Sequence, residues 1–184
     1  MKNVGKKFED NFRDSIPDKI FFYRFRDSSG TFYGGNDSLR FTPTNIADNL
    51  IFYNNCLFLN ELKNHKGKSI PITCIIGNKK KNGKYSKEKQ IIDMYEASKH
   101  KDIYCNIIVF FSDIERCFAL DIENFIFFMQ DNERKSIPLD YFETLGVEIE
   151  VIKKKTNYRY EVEKWLEDYR WKSINLELTG KHGK

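Results

Sequence analysis

The sequence predicts an α/β domain in which a mixed central sheet is flanked by helices. Three observations carry that prediction. Helical and strand periodicities alternate in the order helix, strands, helix, strands, helix, which is the order of a layered α/β sandwich. The chain has 184 residues, enough for one domain with a real core. Sixteen Phe and ten Tyr, in a sequence that is 40% hydrophobic, give it ample apolar surface to bury. No internal repeat or low-complexity linker divides it, so residues 1–184 are expected to form a single domain.

Val4, Phe8 and Phe12 recur at i, i+4, i+8 with Ile16 continuing the series until Pro17, so residues 4–16 read as an amphipathic helix with Glu9 one step from its apolar stripe. Lys19 to Arg26 reads as an aromatic strand. The turn formers Ser28-Ser29-Gly30 and Gly34-Gly35-Asn36-Asp37 then mark a short projecting hairpin or stalk over residues 27–44. From Asp48 to Lys63 the pattern is strand, turn at Asn54-Asn55, strand, with Asn supplying positive φ. Ser86 is placed to cap a helix reaching about His100, with Ile91, Ile92, Met94, Tyr95 and Ser98 on or near its buried side and Gln90 in its first turns. Strands are expected at Ile103 to Phe111 and Arg116 to Ile122, then a short helix from about Glu123. Pro138 suits the first position of another helix. Glu148 to Lys153 reads as a strand. A last helix from Tyr160 to Lys172 buries Val162, Trp165, Leu166 and Tyr169, and residues 173–184 form a flexible tail.

The longest apolar runs, Ile70 to Ile76 and Ile103 to Phe111, are far shorter than the roughly 20 residues that span a bilayer. Charges occupy the N-terminus where a secretory signal needs an apolar stretch, so the expected location is the cytoplasm. Cys56, Cys74, Cys105 and Cys117 sit singly inside apolar runs and read as reduced core thiols. With no C-x-x-C pair, and His65, His100 and His182 scattered, a zinc site is not expected.

The formal charge is only +4, but Lys and Arg cluster, at Lys79-Lys80-Lys81 with Lys84, Lys87 and Lys89, and at Lys153-Lys154-Lys155 with Arg159. Such a run is either a solvated loop or a strip that contacts phosphates by releasing counterions. Lys66 and Lys68 are further candidates for DNA contact. Gly67-Lys68-Ser69 lacks the companion glycine of a phosphate-binding loop, since Leu62 stands in its place.

Asp48 followed thirteen residues later by Glu61-Leu62-Lys63, with Glu9 on the preceding helix, is the pattern that carries chemistry. Hard cations such as Mg²⁺ take oxygen ligands, and Asp48, Glu61 and the Leu62 carbonyl would make an open site for one. Lys63, on the same strand face as Glu61, is placed to offset charge developing on a phosphate. The competing reading is a chance Glu-x-Lys, a pattern that recurs as Glu133-Arg134-Lys135 in a polar stretch. Glu61 and Lys63 instead end an apolar strand, where charges are costly unless paired or metal-bound.

Taken in order, several segments resemble the RecU family of Holliday-junction resolvases in the PD-(D/E)xK nuclease superfamily. They are Asn3 to Glu9, Asp48 with Glu61-Leu62-Lys63, Ser69 to Ile72, Lys89 to Met94, Asn106 to Phe111, the strand bearing Phe118, Phe125 to Phe128, and Arg134 to Ile137. The resemblance implies a restriction-endonuclease-like fold and a homodimer acting on four-way DNA junctions with Mg²⁺ or Mn²⁺, leaving 5′-phosphate and 3′-hydroxyl ends. It implies Asp48 and Glu61 as metal ligands, Lys63 as the catalytic lysine, Glu9 as a helix carboxylate holding metal water, and Gln90 as a glutamine near the site. The departures are a first helix starting almost at Met1 without the family's long basic extension, a short stalk, and Ala47 where the family has threonine. They describe a compact, phage-type relative. Two other readings stand beside it: a nuclease of restriction or RecB-like type acting on duplex or single-stranded DNA, and a noncatalytic DNA-binding accessory protein in recombination.

Overall fold

The computed structural model describes residues 4–25, 45–81, 83–131 and 134–169. The stalk expected over 27–44 and the tail over 173–184 lie outside them. Helix α1 (Val4–Arg13) is followed by strands β1 (Phe21–Arg24), β2 (Asn49–Tyr53), β3 (Cys56–His65) and β4 (Ser69–Pro71), then helices α2 (Ile72–Ile76) and α3 (Glu88–Ser98). Strands β5 (Ile103–Phe111) and β6 (Arg116–Asp121), helix α4 (Ile122–Asp131), strand β7 (Ser136–Pro138) and helix α5 (Leu139–Leu145) come next. Strands β8 (Val147–Ile149), β9 (Val151–Lys153) and β10 (Tyr158–Tyr160) precede helix α6, residues 162–169.

Among the described residues six strands form one sheet in the order β1-β2-β3-β5-β6-β8. Only the central β3–β5 pair is parallel; the other neighbours run antiparallel. The sheet is therefore mixed and helix-flanked, as the element order predicts. Asn54 and Asn55 adopt positive φ, 48° and 64°, and join β2 to β3 in the expected tight hairpin.

Alternation along β3 and β5 sends side chains to two separate cores. Leu59, Ile107 and Val109 face α3, α4 and α5, packing with Ile91, Met94, Phe125, Phe128 and Phe142. Phe58, Leu62, Ile108 and Phe110 face α1 and α6, packing with Phe8, Phe12, Val162, Trp165, Leu166 and Tyr169. Phe8 and Phe12 are one helical turn apart, and both rings contact Tyr160 at centroid distances of 5.3 and 5.8 Å. That contact fixes α1 across the sheet.

Several boundaries differ from the sequence reading, each for a local reason. Helix α1 ends at Arg13, where the Ser15 hydroxyl donates back to the Asn11 carbonyl and its oxygen accepts the Tyr160 amide. Ser86 does not cap α3: its amide is used by the Asn78 carbonyl, and Lys87 occupies the capping position without a side-chain cap. Ile92 is 49% exposed, because it falls on the outer side of α3 away from Ile91 and Met94. Pro138 closes β7 and stands just before α5 rather than in its first turn. The strand expected at Glu148 to Lys153 is two strands interrupted at Glu150, and Tyr160 belongs to β10 rather than to the last helix. Cys56, Cys105 and Cys117 are buried, but Cys74 is exposed.

Candidate active site

The site grows out of an asymmetry in β3. Its first half is paired on both sides, with β2 and β5, but the β2 register ends at Asn49 opposite Asn60. Beyond that point β3 continues to His65 with β5 alone among the described strands. Among the described residues, no strand pairs with the other edge of residues 61–65. The Asp48 amide donates to the Asn60 carbonyl at 3.0 Å, which sets Asp48 directly across from Glu61. Its Oδ2 then accepts the Leu62 amide at 2.7 Å. The amide and carbonyl of one strand residue point to the same side, so the Leu62 carbonyl projects toward Asp48 as well.

Glu61 lies at the centre, 0% exposed. Its Oε1 accepts from Lys63 Nζ at 2.5 Å and from Lys87 Nζ at 2.7 Å, and its Oε2 from Gln90 Nε2 at 2.7 Å. Lys63 reaches it as the i+2 neighbour on the same strand face. Lys87 and Gln90 come from the start of α3, separated by three residues and so on one helix face. The backbone holding Lys87 is fixed by its amide, which donates to the Ile76 carbonyl at 2.8 Å. Gly77, at φ 77°, allows the close approach of Ser86 there, since a Cβ would fall 1.9 Å from Ser86 Oγ.

The two carboxyls titrate in opposite directions. Asp48 is raised from 3.8 to about 7, first because burial disfavours its charge and second because Glu61 is negative; Lys63 only partly offsets this. For Glu61, burial pushes the same way, but the ammoniums of Lys63 and Lys87 outweigh it and hold the carboxyl below its ordinary value. Lys87 is raised in return: burial works against its charge, and Glu61 overcomes that.

Among the described residues no three His, Cys, Asp or Glu side chains cluster closely enough to hold a metal by themselves. A cation here would take Asp48, Glu61, the Leu62 carbonyl and waters. That oxygen set suits a hard divalent ion that keeps part of its hydration.

The structure thus brings Asp48, Glu61, Leu62, Lys63 and Gln90 together, and it adds Lys87, which in sequence belongs to the lysine run. The i, i+3 spacing of Lys87 and Gln90 was the signal available. Glu9 is not part of this group. It is ion-paired with Arg24 of β1, because α1 packs on the opposite face of the sheet from α3. Lys79, Lys80, Lys81 and Lys84 are exposed on a small hairpin closed by the Lys79–Tyr85 bridge. The hairpin's outgoing end leads directly into Lys87. Lys66 and Lys68 are exposed in the loop after β3, tied through the Gly67 amide to Asp113 at 3.0 Å rather than to the carboxylates. Glu133 of the competing Glu-x-Lys lies outside the described residues.

The family model described as Recombination protein U matches residues 76–164, the stretch that carries Lys87 and Gln90 and begins downstream of Asp48, Glu61 and Lys63. A longer alignment joins the chain to the SPbeta prophage-derived uncharacterized protein YotM of Bacillus subtilis (strain 168). The two are 30% identical over 176 residues, covering 88% of this chain and 84% of that relative. The prophage relative agrees with the phage-type kinship expected from the sequence, and on these two matches the chain belongs to the Recombination protein U family.

Proposed function

We propose that this protein is a metal-dependent endonuclease that cuts four-way DNA junctions, built as one domain of restriction-endonuclease-like fold and acting as a homodimer. The observation that supports the reading is that, at the end of β3 beyond its pairing with β2, Asp48 accepts the Leu62 amide and Lys63 donates to Glu61. Family membership supports DNA recombination as the setting.

Bound there, Mg²⁺ or Mn²⁺ would supply Lewis acidity toward a phosphodiester and a water of lowered pKa. Asp48 and Glu61 are the side chains that would hold the ion. Lys63 donates toward the non-bridging oxygens on which charge develops. Gln90 fixes the Glu61 carboxylate through Oε2 and so sets the direction of its other oxygen. Glu9, engaged by Arg24, is given no ligand role. The exposed lysines of the 79–85 hairpin, with Lys66 and Lys68 in the loop after β3, suit contacts to phosphates. Exposed Phe21, Tyr23 and Phe52, on neighbouring antiparallel strands, offer apolar surface for a second copy.

A labelled four-way junction incubated with Mg²⁺ or Mn²⁺ should be cut at paired, symmetric positions, faster than its linear arms. Asp48→Asn and Glu61→Gln should each lower the rate by roughly 10²-fold or more while junction binding persists. Equal cutting of linear duplex would favour a restriction or RecB-like nuclease. Binding without product in any divalent metal would favour an accessory DNA-binding protein, for which the ion-paired Glu61 would be purely structural.

A further inference from the structure

Glu61 already has a full set of donors, and two of them are ammoniums on one oxygen. With Asp48 ionised, the two lysines balance the two carboxylates, so the cluster is neutral without any metal. A divalent ion placed between Asp48 and Glu61 would leave an excess of positive charge, and Oε1 cannot keep two ammoniums beside it. The two lysines are not equivalent in what they could do next. Lys63 is 17% exposed and rises from the sheet floor; Lys87 is 40% exposed and stands at the root of the lysine hairpin. The Lys87 backbone is pinned at Ile76, so only its flexible four-carbon stem needs to move.

Resting on the nuclease reading above, we propose that Lys87 is an exchangeable counterion: it holds Glu61 in the metal-free protein, releases it when a divalent cation takes the carboxylate, and transfers its charge to a DNA phosphate entering along the hairpin. Lys87 thereby keeps two buried carboxylates compatible with folding before metal arrives. It also opposes metal binding until a phosphate is present to receive it. Metal and DNA should therefore bind with positive coupling through this one side chain.

The test is a calorimetric titration of the full chain with Mn²⁺ alone, comparing the wild type with Lys87→Met, which keeps the stem and removes the competing charge. Lys87→Met should bind Mn²⁺ tenfold or more tightly than the wild type. In Ca²⁺, its affinity for a four-way junction should fall severalfold, with a salt slope lower by about one. Lys87→Arg, which keeps the charge, should return Mn²⁺ affinity to the wild-type range, and melting curves of both variants check the fold. Unchanged or weaker Mn²⁺ binding by a folded Lys87→Met protein overturns the exchange while leaving the nuclease reading standing. A wild-type protein that binds no Mn²⁺, with or without junction DNA, removes both.

Discussion

Asp48 and Glu61 face each other across the end of β2, yet their local partners differ. Among the described residues, Glu61 has two lysines and a glutamine on its oxygens, and Asp48 has one backbone amide. Burial therefore wins at Asp48, whose carboxyl rises to about 7, and loses at Glu61. The folded protein binds the Asp48 proton more tightly than the unfolded chain, where the carboxyl returns to 3.8. Its contribution to stability is fully present below about pH 4 and is lost as pH rises toward 7. Asp48→Asn keeps an oxygen to accept the Leu62 amide and carries no charge. It should raise stability at pH 8 by about 1–3 kcal/mol, with little gain at pH 4. Urea denaturation of both proteins at the two pH values, without metal, measures this. A variant less stable than the wild type at pH 8 would show that Asp48 is already compensated.

At the scale of elements, β3 has two jobs divided along its length. Residues 56–60 pair with β2 and β5 and lock the hairpin and the sheet, and residues 61–65 pair with β5 alone among the described strands. The division is marked by a buried chain of amides across three strands. Asn60 Nδ2 donates to Asn49 Oδ1 at 3.0 Å, and Asn106 Nδ2 donates to Asn60 Oδ1 at 3.3 Å. Asn49 stands next to Asp48 and Asn60 next to Glu61, so this chain pins the register that sets the carboxyls opposite each other. Asn60→Ala would leave two buried polar groups unpaired and should cost about 2–4 kcal/mol, read from the urea midpoint. The lysine hairpin between α2 and α3 predicts something different. Replacing Lys79, Lys80 and Lys81 together by Ala should leave melting unchanged. If all three meet phosphates, the slope of log affinity against log salt should fall by about 2–3. An unaltered slope would return the run to solvated surface.

For the whole molecule, the sheet separates two cores of different character. The face toward α1 and α6 is aromatic, with Phe58, Trp165 and Tyr169 in edge contacts of 5.7 to 6.2 Å. The face toward α3, α4 and α5 mixes aliphatic and Phe side chains, and it surrounds the inner end of the candidate site. The cysteines report on this layering. Burial pushes the Cys105 thiol up to about 12 and holds Cys117 well above its ordinary value, while Cys74 is exposed on α2. Ellman's reagent should therefore label one thiol rapidly in the folded protein and the remaining three only on unfolding. Rapid labelling of two or more would mean that the sheet opens on the reagent's timescale.

The elements themselves were legible in the chain because their signals are local. Strand β5 falls where its apolar run lies, the β2–β3 turn where two Asn residues stand, and α1 where Phe8 and Phe12 repeat. Asp48, Glu61 and Lys63 could be singled out because a charged pair ending an apolar strand demands compensation. What residue order left open was what provides that compensation. The side on which α1 packs sends Glu9 to Arg24, and the packing of α3 over the opposite face brings Lys87 and Gln90 onto Glu61. A helix face alone says which residues travel together; only the sheet it covers decides which charge they meet.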